Sequence, residues 1–281
     1  MTPLSLLDKA WRVPATGFSF ALLGIGGSFL ALIHALVILP LPLSQKLKQR
    51  IGRGSIRAGF RFYIRVLRLL GLIKVEVQGL ERLRGGGRII IANHPSLLDA
   101  VFLGAFVPNA NCVVKRALWD NPFTAGPVRV AGYIPNIEGE HLLQRCREAL
   151  DAGDNLILFP EGTRSVPGKP LRFLRGIAHL VLESGRFELQ PVLIDCDPPT
   201  LIKHQPWYVV PKGAPTFRFW IDAELDTSHW WRDDSPRSLQ SRHLAKGLQA
   251  YFEDRLGQEL HRLGRQPQWR TSCLSPAAEG E

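Results

Sequence analysis

Two short stretches of this sequence hold residues whose types and spacing suit proton transfer and anion binding. In the run Arg88-Ile89-Ile90-Ile91-Ala92-Asn93-His94-Pro95-Ser96-Leu97-Leu98-Asp99-Ala100, an imidazole and a carboxylate stand five positions apart. A carboxylate that accepts from one imidazole nitrogen selects the tautomer and leaves the other nitrogen free to take a proton, making a base with its orienting partner. The second run, Phe159-Pro160-Glu161-Gly162-Thr163-Arg164-Ser165, offers Gly162, where a ligand can approach the backbone closely. It also offers the Thr163 hydroxyl and the planar fork of Arg164, which matches a phosphate. Glu161 is placed either to pair with Arg164 or to act as a ligand to an acceptor hydroxyl. Taken singly, each run also has an ordinary reading, a satisfied structural histidine in one case and a polar turn with a surface ion pair in the other.

Both runs follow strands. Arg88–Ala92 and Asn155–Phe159 are short apolar segments with the composition of buried strands. The loops after them therefore open onto the same edge of one sheet. Pro95 suits the first turn of a helix, which is expected to continue through Leu97, Leu98 and Val101 and bring Asp99 beneath His94. Further strands are expected at 74–79, 111–115, 130–135, 189–194 and 217–221. Helices are expected from Glu138 to Ala152, from Phe173 to Ser184, and from Ser235-Pro236 with Leu244, Leu248, Phe252, Leu256 and Leu260 on one side. The stretch 117–131, with Pro122, Gly126 and Pro127, reads as broken helix or loop. This alternation implies an α/β fold, a central mostly parallel or mixed sheet flanked by helices.

The chain has 281 residues and a net charge of +10, with 45% hydrophobic residues including 7 Trp and 14 Phe, which argues for a packed core. The charge is local. Nine basic residues (Lys46, Lys48, Arg50, Arg53, Arg57, Arg61, Arg65, Arg68 and Lys74) fall between Ser44 and Lys74 with no acid among them, and the remainder carries 26 basic against 25 acidic residues. Arg57, Arg61, Arg65 and Arg68 recur at helical spacing and predict one cationic helix face. Ahead of them, Gly17–Leu43 runs 27 residues without a charge. That is long enough for a membrane span, or for a re-entrant hairpin broken at Gly24, Gly26 and Gly27, with Pro40 and Pro42 ending it. The expected organisation is an anchoring segment at 1–73, a membrane helix or helical hairpin followed by a basic amphipathic helix, then a globular domain at 74–265 and a disordered tail at 266–281. A basic helix beside an apolar segment suits anionic headgroups on the cytoplasmic side better than nucleic acid. The 4 cysteines (Cys112, Cys146, Cys196 and Cys273) are dispersed, with no zinc spacing, and read as free thiols. No nucleophile elbow, HExxH or P-loop is present, and no acidic cluster suggests a metal.

Taken together, Asn93-His94 with Asp99 and the later Phe-Pro-Glu-Gly-Thr-Arg-Ser closely resemble the motifs of the lysophospholipid acyltransferase family, which includes 1-acylglycerol-3-phosphate acyltransferases. The resemblance covers about residues 74–225. It implies an O-acyltransferase of phospholipid synthesis that needs no cofactor and uses acyl-CoA or acyl carrier protein as co-substrate with a lysolipid acceptor. It also implies work at the membrane surface, with the domain facing the cytoplasm from the inner membrane. His94 would be the general base and Asp99 its orienting partner, while Glu161, Gly162, Thr163 and Arg164 would bind the acceptor. Lys115, in the segment between the first two motifs, and Arg175, before Gly176, would assist binding. Gln190-Pro191-Val192 is similar to the family's fourth block. Asn136 stands where the family commonly carries an arginine, which leaves the acceptor open, and Arg129 is the residue to compensate. An ornithine-type lysolipid, or a non-glycerol hydroxyl of a specialised lipid, is the alternative acceptor, motivated by Asn136 and the Trp-rich region 207–231. A non-catalytic membrane lipid-binding protein is the alternative of another class.

Overall fold

The structure is a computed structural model and describes residues 3–121, 124–136, 140–186, 188–231 and 235–267. Eight strands, β1 (Lys74–Gln78), β2 (Ile89–Ala92), β3 (Ala110–Lys115), β4 (Ile134–Asn136), β5 (Asn155–Leu158), β6 (Glu188–Asp197), β7 (Thr216–Ile221) and β8 (Leu225–Asp226), form one sheet. Its order is β1-β7-β6-β2-β5-β3-β4, with β8 beside β6. Neighbours run parallel except β6, which is antiparallel to β7 and β8. The fold is thus the α/β sheet expected, mostly parallel and mixed at one side.

The four residues of β2 are all buried, because both faces of the central strand are covered. On one face Ile90 and Ala92 join Ile157, Val192, Phe217 and Phe219 beneath α2 (Gln45–Leu69) and α3 (Asp99–Phe106), which contribute Tyr63, Leu67 and Phe102. On the other face Ile89 and Ile91 meet α6 (Glu140–Asp151), α7 (Arg175–Ser184) and α8 (Arg237–Arg262) through Leu150, Val181, Leu244 and Phe252. This alternation along one strand lets a short apolar run serve two cores. The stretch read as broken helix resolves into two short helices, α4 (Arg116–Asp120) and α5 (Ala125–Ala131).

Of the two forms expected for the amino-terminal segment, the single helix is found, with an earlier start than Gly17. The helix α1 (Pro3–Ile33) begins well ahead of Gly17, takes in Pro14, and passes through Gly24, Gly26 and Gly27 without a hairpin. Arg12 closes an i,i+4 ion pair with Asp8 at 2.8 Å and donates to the carbonyl of Gly71, so the charged start is tied into the fold. Two glycines serve close packing. Gly27 lies against Pro127, and a side chain at Gly126 would collide with Ala31. The helix ends in a π-helical turn, His34–Ile38, just before Pro40.

The cationic face of α2 is also reshaped. Arg53 is buried, donating to Asp154 at 2.8 Å, to the Asn109 side chain at 2.8 Å and to the Ala131 carbonyl. Arg57 donates to the carbonyls of Ala105 and Phe106 at the end of α3, satisfying acceptors that a helix terminus leaves open. Arg61, Arg65 and Arg68 remain exposed. The tail expected to be disordered lies, from residue 268, outside the described residues.

Candidate active site

β2 and β5 lie side by side and parallel, with Ile91 opposite Leu158, so the chains leaving them emerge at one edge of the sheet. Asn93, the first residue past β2, is locked sideways onto β6. Its side-chain amide donates to the carbonyl of Ile194 at 2.7 Å, and its oxygen accepts from the Ile194 N–H at 2.8 Å. His94 comes next. Its ring stacks on Phe159, the first residue past β5, with centroids 4.2 Å apart. The two loops are also bonded directly. The His94 N–H donates to the Glu161 carboxylate at 2.9 Å, the Ser165 hydroxyl donates to the same oxygen at 2.7 Å, and the Ser165 N–H donates to the His94 carbonyl at 2.7 Å.

The helix expected from Pro95 starts only at Asp99. Residues 95–98 form a turn instead, because the backbone is drawn elsewhere. The Ser96 hydroxyl donates to Thr200, and the Leu97 N–H donates to Leu201. That turn brings Asp99 back to His94. Asp99 Oδ2 accepts from His94 Nδ1 at 2.9 Å and from the Ser96 N–H at 2.7 Å. Asp99 is fully buried, and its Oδ1 has no hydrogen-bond partner among the described residues. Burial pushes its carboxyl above the ordinary range, while the bonds from His94 and Ser96 and the charge of Arg164 act in the opposite sense. The carboxylate holds Nδ1–H, so Nε2 carries the acceptor lone pair. Nε2 has no hydrogen-bond partner among the described residues, and the side chain is 16% exposed.

Of the two readings of Glu161, the pairing with Arg164 does not form. Glu161 is buried beneath the His94 backbone, and burial raises its carboxyl even as the Ser165 and His94 donors oppose that. Arg164 instead donates through Nη1 to the carbonyls of Leu201 and Ile202, at 2.7 and 3.0 Å. Its Nε and Nη2 have no hydrogen-bond partner among the described residues. Gly162 has φ +64°, a conformation that favours glycine, and a side chain there would also crowd the tip of Leu174. Thr163 is half-buried in the same loop. Lys115 is exposed at the end of β3, one strand beyond β5 on the same edge. Arg175 is exposed at the start of α7. Neither Lys115 nor Arg175 bonds to the His94–Asp99 pair. Arg129 is engaged with Trp119, donating to its carbonyl at 3.3 Å and lying over its ring, which leaves it no evident tie to Asn136. The Trp-rich region is not one surface either. Trp220 is core, Trp230 packs on Gly247 of α8, and Trp207 packs on Gly17 of α1.

Three contributors had no assigned role from sequence. Ser96 ties the histidine turn to Thr200, Ser165 bridges the two loops, and Phe159 carries the imidazole. Only Ser165 had a readable signal, a hydroxyl four positions past Glu161. Beside the pair lies a cleft whose wall includes Asn93, Pro95, Ser165, Lys169, Ile202 and Arg265.

Residues 74–195, the span from β1 into β6, match the family model described as Acyltransferase. More narrowly, the chain is similar to curated proteins named 1-acyl-sn-glycerol-3-phosphate acyltransferase. The one from Helicobacter pylori is 34% identical over 155 residues, covering 52% of this chain and 62% of that protein. The one from Pseudomonas aeruginosa is 30% identical, covering 44% and 51%, and the one from Saccharomyces cerevisiae is 31% identical, covering 48% and 47%. The chain thus matches about half to three-fifths of the length of these relatives. The crystal structure of the 1-acyl-sn-glycerophosphate (LPA) acyltransferase PlsC from Thermotoga maritima shares the fold, with a TM-score of 0.66 at 20% identity over 87% of this chain and 97% of that one.

Proposed function

We propose that the chain transfers an acyl group from a thioester, acyl-CoA or acyl carrier protein, to the free hydroxyl of 1-acylglycerol-3-phosphate, giving phosphatidic acid. The observation that carries this is the His94–Asp99 contact at 2.9 Å, in a loop bonded directly to the one that bears Arg164. A hydroxyl is a poor nucleophile at neutral pH, so His94 Nε2 takes its proton as oxygen attacks the thioester carbonyl. Asp99 holds the tautomer and stabilises the imidazolium. When the carbon–sulfur bond breaks, the imidazolium returns the proton to the departing thiolate. The products are an ester and a thiol. The free edge of the Arg164 guanidinium receives the acceptor's phosphate, and Lys115 and Arg175 add positive charge at the approach. Glu161 acts as a brace between the loops. The names of the curated relatives support this acceptor.

The site works at a membrane. The stretch Asp8–Ile38 is long and apolar enough to cross one, but one side of α1 is in use along its length. Arg12, Ala15, Ser19 and His34 are buried, and Gly27 and Ala31 touch α5. From Arg12 to His34 this stripe covers about 33 Å. The opposite side exposes Trp11, Phe18, Ile25, Phe29, Leu32 and Leu36. A helix packed this way lies in one leaflet beside its domain, which faces the cytoplasm and its soluble donor. The test supplies purified chain with acyl-CoA or acyl carrier protein thioester and a panel of lysolipids, following thiol release and lipid mass. Phosphatidic acid formed from 1-acylglycerol-3-phosphate supports the reading. Thiol release at the level of a blank with every acceptor refutes it.

A further inference from the structure

The segment from Thr200 to Val209 joins two places that the chemistry alone leaves separate. Its base is fastened to both catalytic loops. Thr200 and Leu201 accept from Ser96 and Leu97 on the histidine side, and Leu201 and Ile202 accept from Arg164 on the other. Leu201 (φ +51°) and His204 (φ +63°) are non-glycine residues in the left-handed region, a conformation that persists only where surrounding contacts impose it. Six residues on from Leu201, the tip exposes Trp207, Tyr208 and Val209. Trp207 packs on α1, with its ring against Gly17 and edge-on to Phe20 at 6.3 Å, while Tyr208 stands edge-on to Trp207. The exposed apolar side of α1 therefore continues onto this tip, which Lys203 and Lys212 flank. Indole and phenol rings bounded by lysines are the side chains suited to the headgroup–acyl boundary of a bilayer.

We propose that residues 200–209 form an arm whose tip enters the same leaflet as α1 and whose base, through the carbonyls of Leu201 and Ile202, sets the guanidinium of Arg164 for a lipid-borne phosphate. Trp207, Tyr208 and Val209 are thus positioning residues for an acceptor presented in a membrane. The role of Arg164 rests on the function proposed above, whereas insertion of the tip does not. Two measurements on the full chain separate them. With vesicles of phosphatidylcholine and phosphatidylglycerol brominated high on the acyl chain, Trp207→Phe is expected to lose a distinct share of the quenchable tryptophan fluorescence, and this requires no turnover. A Tyr208→Asp, Val209→Asp double variant is expected to raise KM for vesicle-borne 1-acylglycerol-3-phosphate about tenfold, while kcat/KM for a soluble short-chain acceptor stays within about twofold. Quenching undiminished by Trp207→Phe overturns insertion. An unmoved KM on vesicles, or an equal loss on both forms of the acceptor, overturns the positioning role.

Discussion

At His94 the imidazole meets a carboxylate cut off from solvent, with one of its two oxygens unpaired among the described residues. Burial raises the Asp99 carboxyl above its unfolded value, near 3.9, so the fold holds that proton more tightly than the unfolded chain does. Its contribution to stability is then full below the unfolded value and is lost as pH rises through the folded one. Asp99→Asn removes that dependence. Its thermal midpoint is expected to gain on the wild type as pH rises from about 4, while acyl transfer falls because the amide cannot stabilise the imidazolium. Melting curves between acid and neutral pH, paired with rates, check both. Arg164 carries a different prediction. Arg164→Ala removes a charge-assisted contact to the acceptor phosphate of about 1.5–3 kcal/mol, expected as a roughly 10- to 100-fold loss in kcat/KM, carried largely by KM. Kinetics with an acceptor lacking the phosphate are the control, since that substrate should lose much less.

At the scale of elements, β2 and β5 were legible because each is a continuous apolar run between polar turns, and a buried parallel pair requires that composition. Their adjacency followed from the fold class, and with it the meeting of the two loops. The turn at 95–98 was not legible. Pro95 permits a helix start, and only the distant carbonyls of Thr200 and Leu201 draw the backbone away from one. The same cause hid the partners of Arg164 and Glu161, since a basic and an acidic residue three apart suggest each other until backbone groups from other elements intervene. Arg53 looked like one more cation in a collar, yet it is the α2 anchor, bound to Asp154 and Asn109 at the opposite end of β3 and β5 from His94. Arg53→Ala leaves a buried carboxylate without its cation and is expected to destabilise the fold by about 3–5 kcal/mol, measurable by urea unfolding. Binding to anionic vesicles by the folded fraction should be unchanged, because Arg53 faces no lipid.

For the whole molecule, charge and apolar surface are arranged together. The apolar side of α1 points away from the domain, and Arg61, Arg65 and Arg68 are exposed on α2, the helix it packs against. Each exposed cation near an anionic surface contributes about 1 kcal/mol, screened by salt. Replacing all three with glutamine is therefore expected to weaken binding to phosphatidylglycerol vesicles in a salt-dependent way and to leave the unfolding midpoint almost unmoved, a contrast with Arg53→Ala that vesicle sedimentation and urea curves together reveal. Catalysis itself is most directly tested by thiol release with 1-acylglycerol-3-phosphate, comparing wild type with His94→Ala at equal fold content. The imidazole as proton acceptor predicts a fall in kcat of about 10²- to 10⁴-fold with KM little changed. Equal rates for the two proteins would contradict it.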